Sequence, residues 1–222
     1  MVLTISRQLG SQGDDIAARV ATALGLLLVN REYICRAALA AGVPATLLQK
    51  LMYEGEHSLA GQIMDSLSGS SSELSDRPAA TPGPLEGIFT PMLAPSSIRL
   101  EDGVQAIGRL IIDVASRQDV LVLGQGGRSW LRDRRDALHI QVIAPFELRI
   151  ERVANREHIS RSAARRRVRN SDQARAEYLA RYHGVNWLDP LLYHYVINTG
   201  LASVDAAAAL LIRMAQTMGN EA

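Results

Sequence analysis

The sequence predicts an α/β protein with a parallel sheet covered by helices on both faces. Three observations carry this. Five short apolar segments (2–5, 26–30, 119–127, 138–145 and 193–200) alternate with stretches of helical periodicity, the pattern of repeated strand–helix units. The segments are near-continuously apolar instead of alternating, as expected of strands buried on both faces. Glycine-bearing turns follow the first and third segments, at the carboxyl ends where such sheets bind ligands.

The first segment, VLTIS, runs through RQLGSQG into a helix over 14–24, marked by Ile16, Ala17, Val20, Ala21 and Leu24 and closed by Gly25. A strand turning through a tight glycine loop into a helix start is an anion cradle, because open N–H groups and the helix dipole face the same point. It also fits a plain strand-to-helix turn. The loop lacks GxxxxGK[ST]: it has no lysine, and Asp14 and Asp15 stand at the helix start. LLLVN (26–30) is the second strand. Helices follow over 31–41, from Pro44 through Met52, and from Leu59 to about residue 68. Residues 69–97, rich in Ser, Pro and Gly, read as a long flexible loop.

From Glu101 a helix carries Val104, Ile107, Ile111 and Val114, and DVLVLGQGG follows as a strand and glycine turn. A short helix surrounds Trp130. LHIQVIAP is the fourth strand, followed by a helix over 146–155. Residues 161–182 are polar and helical, with a break expected near Asn170 and Ser171, two poor helix formers. YHYVINTG is the fifth strand and 204–218 a closing amphipathic helix. The loops after Ile5, Leu123 and Ala144 should therefore share one rim.

At 222 residues, 47% hydrophobic and 21% charged, the chain has room for one domain with a helical insert. No apolar run reaches the roughly 20 residues of a membrane span. No basic-then-apolar leader opens it, so a cytoplasmic protein with no membrane partner is expected. A net charge of +1 gives no field for a nucleic-acid polymer. The single cysteine, Cys35, reads as a buried thiol. The five histidines share no metal-ligand spacing, and Trp130 and Trp187 read as core. Fourteen of the 24 basic residues lie between Arg128 and Arg181, all arginine, while Lys50 is the only lysine. Arginine forks suit phosphate, although Arg161, Arg165 and Arg169, four residues apart, also fit a solvated helix face. Asp172 and Arg175 also fit a surface pair at i, i+3.

The order ISRQxGSxG, a helix, VLGxGG with RD after it, VIAP, an arginine-rich segment, DxxR and YxxxYHGVNWxDPxxYHYVINTG resembles the cytidylate kinase-like branch of the P-loop nucleoside monophosphate kinases. The likeness spans nearly everything except about 43–100. It implies a three-layer P-loop kinase fold with five parallel strands in the order 2-3-1-4-5. It also implies a helical acceptor-side insert over 31–100, an arginine-rich lid over 156–175, and a kinase that uses ATP and Mg2+. On this resemblance Gly10, Ser11, Gln12, Gly13, Asp14 and Asp15 form the nucleotide loop, with Asp15 at the metal. Arg7, Arg161, Arg165 and Arg169 neutralise phosphate, and Arg128, Asp172 and Arg175 hold the acceptor.

The chain departs from that pattern at named positions. Gly13 stands where the loop lysine is usual and Asp15 where the magnesium-binding Ser/Thr is usual. Gln12 replaces a glycine, and Asp14 and Gln125 each replace an arginine. These departures leave three functions open: a phosphotransferase for a nucleoside monophosphate or related small acceptor, a nucleotide-binding sensor or interaction module without turnover, and a kinase for a non-nucleotide acceptor. A monomer and a homo-oligomer both fit.

Overall fold

The computed structural model describes residues 1–40 and 100–221, and the helices expected from Pro44 to about residue 68 and the loop expected over 69–97 lie outside them. Five parallel strands are β1 (Val2–Arg7), β2 (Leu27–Val29), β3 (Val120–Leu123), β4 (Ala137–Ile143) and β5 (Tyr195–Asn198). Their order in the sheet is β2-β3-β1-β4-β5, the expected 2-3-1-4-5. The helices between them are α1 (Gly13–Leu24), α2 (Arg31–Ala40), α3 (Leu100–Arg117), α4 (Gly127–Trp130), α5 (Phe146–Glu157), α6 (Arg161–His183) and α7 (Val204–Glu221).

Strand parity divides the core. Leu3, Ile5, Leu121, Leu123, Leu138, Ile140, Val142 and Ile197 face α1 and α7. Val2, Val120, Val122 and Ala137 pack with Ile34 of α2 and with Val104, Ile107, Leu110 and Ile111 of α3. Further along this second face the strands turn polar: Thr4, His139 and Gln141 are all buried. Each is satisfied, as burial requires. Thr4 Oγ1 bonds His139 Nδ1 at 2.8 Å, and Gln141 Nε2 donates to the Trp187 carbonyl at 2.7 Å. Burial lowers the His139 pKa from 6.5 to about 4, with His194 and Arg128 adding to the fall.

The break expected in the long polar helix is absent. Helix α6 runs unbroken for 23 residues through Asn170 and Ser171. Its buried positions, Ala164, Val168, Ser171, Arg175 and Leu179, form one stripe at helical spacing. Packing of that stripe overrides the weak propensity of two residues. Ser160 caps the start, its side chain accepting from Ala163 N, and Gly184 ends it in the left-handed region. Cys35 is buried and free. Trp187 is 2% exposed, whereas Trp130, a core expectation, is only partly buried. Among the described residues no helix is long and apolar enough to cross a membrane.

Candidate functional site

Because the strands are parallel, the turns after β1, β3 and β4 all open on one rim. The β1 turn is fastened at its base to β4: Gln8 N donates to Val142 O at 3.0 Å, and Ala144 N donates to Gln8 Oε1 at 3.1 Å. Gly10 then takes φ +80°, and a Cβ there would lie 2.6 Å from the Arg149 carbonyl. Only glycine meets both demands. Gln12 also stands in the left-handed region, at φ 62°, which is strained for a residue with a Cβ.

Helical bonding in α1 begins at Ile16 N, which donates to Gln12 O at 3.2 Å. The N–H groups of Gly13, Asp14 and Asp15 therefore have no carbonyl partner among the described residues. The carbonyls that would have taken them, on Leu9, Gly10 and Ser11, turn to the outside of the loop. Arg149 Nη1 approaches Leu9 O at 3.5 Å, Arg152 Nη1 approaches Gly10 O at 3.4 Å, and Thr199 Oγ1 donates to Ser11 O at 2.8 Å. Ser11 Oγ is buried without a hydrogen-bond partner. The turn thus presents donors inward and acceptors outward, the polarity of an anion site.

Gly13 leaves room for the side chain of Arg7. A Cβ on Gly13 would fall 2.5 Å from Arg7 Cβ and 2.9 Å from its Cγ. The Arg7 stem therefore fills the space in which a side chain at position 13 would start. Its guanidinium meets Asp14: Nε and Nη2 donate to Oδ1 at 3.3 and 3.2 Å. Asp15, beside it, is exposed. Among the described residues no group of three or more His, Cys, Asp or Glu is placed to hold a metal by itself.

The β3 turn borders a cavity of about 30 Å³ lined by Thr4, Ser6, Gln125, Arg128, Arg175 and Tyr193 among others. Gln125 is buried with φ 54°. Arg128 Nε donates to Leu192 O at 2.8 Å, and the buried Arg175 stacks its guanidinium 5.2 Å from the Trp187 ring centre. Of the three residues expected at an acceptor, Arg128 and Arg175 share this cavity. Asp172 does not line it; its carboxylate takes both Nη atoms of the buried Arg149 at 2.9 and 2.8 Å.

The three arginines expected in a lid do come together. Arg161 and Arg165 both pair with Glu147, at 2.6 and 2.7 Å, and together they hold its carboxyl below the usual range. Arg165 and Arg169 lie 5.6 and 5.7 Å from the Phe146 ring centre, with Arg149 at 5.5 Å. Sequence reasoning missed Phe146, Glu147, Arg149, Arg152 and Thr199. A buried arginine on the apolar face of α5 was the one available signal.

The sequence profile of the cytidylate kinase-like family matches residues 2–201. The chain belongs to that family. Cytidylate kinase-like relatives similar to it include the cytidylate kinase of Sulfolobus acidocaldarius, 28% identical over 45% of this chain and 54% of that one. The cytidylate kinase of Aeropyrum pernix is 27% identical over 51% and 65% of the two chains, and that of Methanopyrus kandleri is 36% identical over 33% and 38%. The chain thus spans about half to two thirds of the length of the first two. Among solved structures, an uncharacterized protein from Eubacterium ventriosum superposes with a TM-score of 0.67 at 16% identity, covering 98% and 99% of the chains. Shikimate kinase from Bacteroides thetaiotaomicron gives 0.50 at 8% identity over 97% and 98%. The fold is that of the P-loop kinases.

Proposed function

We propose that this member of the cytidylate kinase-like family transfers the γ-phosphoryl group of ATP to a nucleoside monophosphate or a related small acceptor. The observation that carries the reading is the exchange between positions 7 and 13. The loop keeps a cation without its lysine, because Gly13 makes room for the Arg7 stem. The N–H groups of Gly13 to Asp15 bind the donor phosphates, and Arg7 supplies the positive charge. Phosphoryl transfer depends mainly on positioning and on neutralising the equatorial oxygens. An acceptor oxygen bonds to the γ-phosphorus while the bond to the β-bridging oxygen breaks, and ADP carries away that electron pair.

Residues 156–175 act as the lid in this reading, with Arg161, Arg165 and Arg169 leaving Glu147 and Phe146 for phosphate oxygens. Arg128 and Arg175 receive the acceptor, and residues 31–100 cover it. Magnesium is usually held by one or two carboxylates together with substrate phosphates. The exposed Asp15 at the loop fits that role, and the ion would offset donor charge. A cytoplasmic location goes with ATP as the donor.

The test is a coupled ADP-release assay with ATP and Mg2+ over a panel of nucleoside monophosphates and small hydroxy acids. Turnover of at least one acceptor is expected, and Arg7→Ala should lower it by about two orders of magnitude. No turnover with any acceptor would reject the enzyme reading. The Arg7–Asp14 pair favours one rival, a nucleotide-binding module without transfer, since the loop's cation already faces a carboxylate. Calorimetric ATP binding with no ADP formed would select that rival.

A further inference from the structure

We infer that Thr199, with Arg152 behind it, is a positioning residue of the β1 loop that keeps the first turn of α1 open for phosphate. The inference rests on the donor-phosphate reading of that loop. An α-helix extends itself whenever a free N–H finds the carbonyl four residues earlier. At the start of α1 those partners are Leu9 O for Gly13 N, Gly10 O for Asp14 N and Ser11 O for Asp15 N. If the first turn closed in this way, the donors would be spent internally and the anion site would disappear.

The structure holds this closure off from outside. Thr199 is 4% exposed and sits one residue beyond β5. Its hydroxyl donates to Ser11 O at 2.8 Å and accepts from Arg152 Nη1 at 2.9 Å. Arg152 Nη2 also donates to the Thr199 carbonyl at 2.9 Å, while Nη1 approaches Gly10 O at 3.4 Å. Thr199 N is itself fixed to Ile143 O at 2.9 Å. The hydroxyl therefore hangs from the sheet, is oriented by an arginine on α5, and draws the Ser11 carbonyl away from Asp15 N. None of these groups touches phosphate in this arrangement; they set the direction of the groups that do.

Thr199→Val keeps the shape and removes the hydroxyl, whereas Thr199→Ser restores it. Two quantities are read on the free full chain: pyrophosphate and Mg-ATP affinity by calorimetry, and exchange of the Asp15 amide by NMR. Thr199→Val should weaken both ligands about tenfold, the scale of one hydrogen bond serving a charged group, and should slow Asp15 exchange as Ser11 O becomes its partner. Thr199→Ser should match the wild type in both. General loosening of the fold would speed that exchange, so the direction separates positioning from mere structural support. Should Thr199→Val fail to fold, Arg152→Met is read in the same way. Unchanged affinity, unchanged or faster Asp15 exchange, or a serine variant as weak as the valine variant overturns the inference. Wild-type protein that binds neither ligand overturns the donor-phosphate reading and the inference with it.

Discussion

The two glycine turns on the rim look alike in sequence and are built in opposite ways. The β1 turn, LGSQG, takes left-handed backbone at Gly10 and Gln12, and the β3 turn, GQGG, takes it at Gly124, Gln125 and Gly126. The β3 turn closes on itself: Gly127 N donates to Gly124 O at 2.9 Å, and Ser129 N to Gly126 O at 2.8 Å. The β1 turn sends its carbonyls to Arg149, Arg152 and Thr199, residues 140 to 188 positions away. One turn is thus closed mainly by its own few residues, whereas the other, besides the bond from Ser11 N to Gln8 O, is held by two arginines of α5 and by Thr199 just beyond β5. A turn that satisfies itself has spent its polar groups, whereas one held from behind keeps its donors for a ligand.

The largest effect expected from this contrast is at Gly10. Gly10→Ala adds a left-handed penalty to a clash with backbone that cannot give way, and should cost about 3–5 kcal/mol in urea unfolding. Gly126→Ala shares the left-handed penalty, but its Cβ would meet only the end of the His183 ring, at 2.5 Å. It should cost about 1–2 kcal/mol. Equal costs would erase the distinction between the turns.

Acid should act on the floor of the second turn. His139 is held neutral, with a pKa of about 4 against 6.5 unfolded, and bonds Thr4 beneath the cavity. The unfolded chain takes up that proton first. Stability is therefore full above pH 6.5, falls as pH drops towards 4, by about 3 kcal/mol, and stops changing from this group below that. Thermal unfolding across the window measures it, and His139→Gln should flatten the slope.

Arg149→Met should cost about 2 kcal/mol, because it leaves Asp172 without its partner. Asp172 is partly exposed, at 27%, which moderates the loss. Adding Asp172→Leu should recover part of it, and strictly additive costs would show that the two do not act as a pair. Smallest are the gains from relieving strain: Gln12→Gly and Gln125→Gly should each raise stability by about 1 kcal/mol. A loss at either position would mean that the glutamine side chain contributes more than its backbone costs.

These differences also mark what could be read in advance. The apolar runs at 2–5, 119–127 and 138–145 announced strands buried on both faces, and parallel pairing put their turns on one rim. The missing lysine was visible too, but the space that Gly13 leaves for the Arg7 stem is a steric fact that appears only once the two are seen side by side. Asn170 and Ser171 suggested a break because propensity is local, whereas Ser171 is held by packing across the helix. Thr199 offered no signal, since a hydroxyl after a strand gains meaning only from the carbonyl 188 residues before it.

Helix α6 has a mechanical consequence. Its 23 residues make a rod of roughly 34 Å, with Arg161, Arg165 and Arg169 at one end and Arg175 and Tyr178 beyond the middle against the cavity. Between the two sets Asp172 grips the buried Arg149. The Glu147 cluster and one wall of the cavity are thus carried on a single continuous helix, anchored between them by the Asp172–Arg149 pair.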